Sequence, residues 1–196
     1  MCVQEEKEEQ REGRNKETAI DKTYLSSGEF RKKFDKLSES KELNRLLYKL
    51  AKEMLYHRSG TLFEDMYWID VEDSSVVAKI TDSTVEGKII YTESVKKIIT
   101  EKNDLITIHS HPSGFPPSVA DFNSNFEHGY SRGIVVGHNG KVFMYWSNEL
   151  ISERYFDQKV AQYRQNGYNE DEARIAVLEY CRKHFDIEYK EVTVNE

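Results

Sequence analysis

The sequence predicts an α/β fold: a mixed, mostly antiparallel sheet flanked by helices, with a C-terminal helical pair. Three observations predict it. Leu43, Leu46, Leu47, Leu50, Ala51, Met54 and Leu55 recur at the spacing of one apolar helical stripe. Leu105-Ile106-Thr107-Ile108-His109 is a nearly continuous apolar run, as expected of an interior strand. Asn139-Gly140, a strong hairpin dipeptide, separates apolar runs at 133–136 and 141–146.

The elements follow in order. Residues 1–20 are rich in Glu, Lys, Arg and Gln without apolar periodicity, which predicts a solvated arm, disordered or a frayed helix. A short helix is expected over 28–36, and the striped helix over 41–57, ended by Ser59-Gly60. Residues 66–71 read as a strand, 75–80 as its partner and 89–91 as a further short strand. Thr92 opens a helix to about residue 100, with Val95, Ile98 and Ile99 inward. After the strand at 105–109, a helix runs from Ser118 to about Phe126, and then comes the hairpin. Two helices close the chain, at roughly 149–165 and 170–184. The second opens with the capping pattern Asn169-Glu170-Asp171-Glu172. The division expected is an arm over 1–20, a domain over 21–148 that includes the N-terminal helices, and a helical extension over 149–196.

Composition bounds the function. With 38% hydrophobic and 32% charged residues, the 196-residue chain is long enough to bury a substantial core. A net charge of -7 argues against a protein whose main task is to hold nucleic acid, which needs a basic footprint. Cys2 and Cys181 are the only cysteines, too few for a disulfide framework and consistent with a reducing compartment. No apolar run approaches a membrane span, and the N-terminus lacks the apolar centre of a signal peptide, so a cytoplasmic location is expected.

The chemistry concentrates in His109-Ser110-His111-Pro112-Ser113-Gly114-Phe115-Pro116-Pro117-Ser118-Val119-Ala120-Asp121, which holds all three prolines of the chain. Side chains two apart on a strand project to one face, so both imidazoles can meet one ion. The prolines stiffen a loop that can return Asp121 to it. Two His and one carboxylate leave a fourth position of a tetrahedral zinc site for water, as in catalytic rather than closed structural sites. Ser118-Val119-Ala120-Asp121 is also a capping box. The two readings are compatible, because a helix starting at Ser118 carries Asp121 in its first turn.

This run resembles the signature of the JAMM (JAB or MPN+) metalloproteases: His-x-His, a spacer, then Ser-x-x-Asp. His111-Pro112-Ser113-Gly114 is similar to bacterial RadC-type members, and the wider chain to JAB-like proteins of phages and mobile elements. The resemblance covers roughly residues 41–147 and implies a JAB/MPN-like, cytidine-deaminase-like fold. It implies a zinc-dependent peptidase or isopeptidase, with His109, His111 and Asp121 as zinc ligands and Ser118 stabilising the oxyanion. A protein or peptide substrate follows, with ubiquitin-like proteins among the candidates. Six residues separate His111 from Ser118, against seven in the common family spacer.

The family also needs an upstream glutamate as general base. Glu64, after the striped helix and just before the first strand, is the choice. The family places a glycine three residues on, where Tyr67 stands here. A rival alignment uses Gly60 as that glycine and puts His57 in the glutamate's place. Glu72 and Glu86 are lesser candidates. The main alternative function is a JAB-like interaction or assembly module, weakly active or inactive, of a phage or mobile element. A metal-dependent nuclease is a third reading, disfavoured by the acidic charge. The sequence leaves the oligomeric state open.

Overall fold

The computed structural model describes residues 13–194 and centres on a six-stranded sheet. The helices and strands, in chain order, are α1 (Lys22–Leu25), α2 (Gly28–Lys32), α3 (Lys41–Arg58), β1 (Met66–Asp70), β2 (Ser75–Ile80), α4 (Glu93–Glu101), β3 (Leu105–His111), α5 (Val119–Glu127), β4 (Arg132–Gly137), β5 (Val142–Ser147), α6 (Glu153–Gln165), α7 (Glu170–His184) and β6 (Ile187–Glu191). The strand order is β2-β1-β3-β4-β5-β6. Only β3 and β4 run parallel, joined through α5; the other neighbours are antiparallel. A parallel pair needs such a crossover, whereas the β1–β2 and β4–β5 pairs close through short turns; β1–β3 is joined through β2 and α4, and β5–β6 through α6 and α7.

Alternation along the strands sorts side chains onto two faces. On one face Tyr67, Ile69, Ile106, Ile108, Ile134, Val136, Val142 and Met144 pack with the stripe of α3. On the other, Val135, Phe143 and Tyr145 pack with α5, α6 and α7, and Met66 and Trp68 pack with α4. The helix starts are fixed by side chains that accept from orphan backbone amides, Ser40 for α3, Thr92 for α4 and Ser152 for α6.

The structure departs from the sequence expectations in three places. Residues 89–91 form no strand: Ile90 is exposed and no neighbour pairs with the segment, which leads directly into the Thr92 cap. The segment 149–196 holds the two expected helices and also β6, which pairs antiparallel with β5 and extends the sheet. Ile187 and Tyr189 are buried while the residues between and after them face outward, a period-two pattern too brief to stand out after a long helix. Of the expected arm, residues 1–12 lie outside the described residues, and 13–20 are anchored rather than free. Gly13 N–H donates to the Ser59 carbonyl (2.8 Å), Asn15 N–H to the Gly60 carbonyl (3.0 Å) and Gly60 N–H to the Thr18 carbonyl (3.0 Å). Cys181 is buried and free, and Cys2 lies outside the described residues. Among the described residues no helix is long and apolar enough to cross a membrane.

One buried charge cluster ties α3 to the start of β1. Arg58 is fully buried; its Nε donates to Asp65 Oδ1 (2.5 Å) and its Nη2 to the Thr81 carbonyl (2.6 Å). His57 Nδ1 meets the other Asp65 oxygen at 2.6 Å. Removing one partner of a buried pair strands the other charge, at a cost of about 3–5 kcal/mol. Asp65→Ala is therefore expected to lose stability of that order in urea unfolding, and a loss below about 1 kcal/mol would contradict this role.

Candidate metal centre

His109 and His111 occupy the last two same-face positions of β3, so both rings leave the sheet on the α5 side. Beyond His111 the chain turns sharply. Gly114 has φ +66°, and a Cβ there would fall 2.2 Å from the Asn139 side chain, so the loop packs on the hairpin only because the position is glycine. Pro116 and Pro117 lead to Ser118, the N-cap of α5. Ser118 Oγ accepts from the Asp121 backbone, and Asp121 Oδ2 accepts in return from the Ser118 N–H (2.6 Å) and hydroxyl (2.8 Å). The cap thus fixes the rotamer that aims Asp121 at the two imidazoles.

The three side chains converge. His109 Nε2 and His111 Nε2 are 3.1 Å apart, His109 Nε2 lies 3.2 Å from Asp121 Oδ1, and His111 Nε2 lies 3.4 Å from Asp121 Oδ2. In a tetrahedral zinc site with bonds of about 2.0–2.1 Å, donor atoms stand about 3.3–3.4 Å apart. The observed separations of 3.1–3.4 Å lie at or just below that value, with the two histidines meeting different oxygens of Asp121, so the three residues could hold one ion. The tautomer fits as well. His111 Nδ1 lies 3.2 Å from the Phe115 carbonyl, which can only accept; Nδ1 carries the proton and Nε2 keeps its lone pair for a metal.

The electrostatics favour a cation at this point. Burial alone would raise the Asp121 carboxyl, but the His109 and His111 imidazoles hold it well below the usual carboxylate range. Burial alone would lower His111, but the Asp121 and Glu64 carboxylates lift it to about 9. Without a metal, the centre satisfies its negative charge with a proton.

Glu64 belongs to the same cavity. Ser110 N–H donates to the Asp65 carbonyl (3.0 Å) and Asp65 N–H to Ser110 Oγ (3.0 Å), so the β1–β3 register continues past Met66↔His109. One further step sets Glu64 opposite His111 and on its face. Burial pushes the Glu64 carboxyl up, opposed by the two imidazoles. His57, the rival for the glutamate's position, is on the other face, paired with Asp65. Glu72 and Glu86 are exposed and do not line the cavity. Ser118 lines it at the rim.

The cavity holds about 470 Å³. Thr107, Tyr91, Tyr130 and Tyr145 line it, as do Phe156 of α6 and Leu178 of α7. Thr107 was legible as the next same-face residue before His109. Tyr145 reaches the cavity across Gly133, where a Cβ would meet its ring at 2.0 Å. Nothing local in the sequence marks the others. Trp68 is core, its Nε1–H donating to the Tyr130 hydroxyl at 2.8 Å. His128 is exposed and stacked between Tyr91 and Tyr130. Asn123 does not line the cavity; its amide brackets Ile151, donating to its carbonyl (2.9 Å) and accepting from its N–H (2.8 Å).

One equivalent of zinc is expected to bind in calorimetry. His111→Ala or Asp121→Ala should lose more than the ~10–100-fold carried by an outer-shell partner, and Ser118→Ala should fall within that range. Uptake should release protons, with affinity rising as pH rises through neutrality towards about 9, because the ion displaces the proton on His111. Binding unaffected by Asp121→Ala would place the ion elsewhere.

No family model, curated protein or solved structure matches this chain.

Proposed function

We propose that the chain is a zinc-dependent peptidase or isopeptidase of the JAMM (JAB/MPN) type. The observation that carries the reading is the meeting of His109, His111 and Asp121 in one cavity with the buried carboxyl of Glu64. Two imidazoles and one carboxylate, with room for a fourth donor, suit zinc in an open site. A zinc ion held there would supply a Lewis acid for a carbonyl oxygen and would lower the pKa of its water to about 7.

The chain's own residues do the rest. Glu64, opposite His111, takes the proton of the attacking water and returns it to the departing amine. Burial raises its carboxyl, the direction that suits a group which must both accept and donate a proton. The Ser118 hydroxyl, at the rim, turns its one proton from Asp121 Oδ2 to the oxyanion that develops on the attacked carbonyl. Asp121, held by the cap, keeps both imidazoles oriented. The substrate class is a peptide or isopeptide, with ubiquitin-like conjugates among the first to test.

The test is Glu64→Gln in the zinc-loaded chain, assayed on peptide and ubiquitin-like amide substrates. The expected result is a fall in kcat of about 10²–10⁴-fold with zinc content unchanged. Turnover that survives the substitution would remove Glu64 from the chemistry. Full zinc occupancy with no turnover on any amide would favour the interaction or assembly module instead.

A further inference from the structure

The cavity extends beyond the metal donors in two directions of different chemistry. Towards β1 it is lined by Glu64, Met66, Ile89 and Tyr91, and the Tyr91 hydroxyl is bonded to Ser124 at 2.9 Å. Towards the C-terminal helices it is lined by Val119, Phe156, Ile175 and Leu178. Val119, Phe156 and Leu178 are buried, whereas Ile175 is 42% exposed. Two exposed charged residues, Asp171 and Arg174, also line this end; Arg174 is bonded to Glu170 at 3.3 Å, and its guanidinium lies 5.9 Å from the Phe156 ring centroid.

We propose that this second end is a binding subsite for an apolar side chain, carried by the substrate residue whose carbonyl is attacked. The assignment rests on the peptidase reading above. Glu64 serves the leaving amine and lies at the β1 end. Ser118 serves the oxyanion and is followed directly by Val119, the first apolar residue of the other end. A substrate placed between them therefore sends its amine half towards β1 and its acyl half towards α6 and α7. An acyl residue there finds Val119, Phe156, Ile175 and Leu178, with the charged Asp171 and Arg174 at exposed positions, so a leucine- or phenylalanine-sized side chain removes apolar surface from water on both partners. The helices after residue 149 then determine which residue precedes the cleaved bond.

The experiment uses the zinc-loaded full chain and N-acetyl amino-acid hydroxamates, whose hydroxamate binds the ion while the side chain sits where the acyl residue would. Calorimetry with the glycine, alanine, leucine and phenylalanine compounds is expected to show the leucine or phenylalanine compound binding on the order of tenfold tighter than glycine or more. Ile175→Glu, at an exposed position that folding tolerates, should shrink that ratio while leaving zinc content unchanged. Equal affinities across the series overturn the subsite and leave the metal centre standing. Failure of every hydroxamate to bind the zinc-loaded chain overturns the peptidase reading and the subsite with it. If Ile175→Glu leaves the ratio intact but changes the sedimenting mass, the apolar end is a contact between copies and the subsite is overturned.

Discussion

Alternation of side chains along β1 and β3 is the constraint on which this structure depends. Each strand sends successive residues to opposite faces, and the β1–β3 register locks the two patterns together. One face receives Ile106, Ile108 and Tyr67 against α3; the other receives Thr107, His109 and His111. The same rule separates two adjacent acids. Asp65 goes to the α3 side and neutralises Arg58, while Glu64 goes to the metal side. A slip of one residue would exchange them, turning Tyr67 and Ile69 towards the cavity and Glu64 towards α3.

Helix capping and metal-ligand geometry share atoms in this chain. Asp121 satisfies the Ser118 amide and hydroxyl through one oxygen and faces both imidazoles with its two. Local stability of the α5 start and the shape of the donor set are therefore one property. The six-residue spacer between His111 and Ser118 turns at Gly114, which packs on Asn139, and that turn brings the ends of the loop together.

Much of this was legible from residues alone. The α3 stripe, the buried β3, the hairpin at Asn139-Gly140 and both C-terminal helices follow from periodicity and turn chemistry. The three donors followed from spacing, because an i, i+2 pair at a strand end and an N3 acid of a capped helix have few directions in which to point. The choice between Glu64 and His57 was not legible, since it depends on strand register, which pairs residues 35 or more apart in sequence. Strand β6 was hidden because its pairing with β5 is non-local and its apolar content is two residues. The reach of Tyr91, Phe156 and Leu178 into the cavity is likewise a product of packing between distant segments.

The close stacking of Tyr145 on Gly133 gives the floor of the cavity an unusual sensitivity. The two residues are paired across β4 and β5, and the ring occupies the space that any side chain at 133 would need. An added methyl group there would displace the ring, which stands edge-on to the His109 imidazole with centroids 6.4 Å apart. A position outside the donor set thus behaves as a shim beneath it.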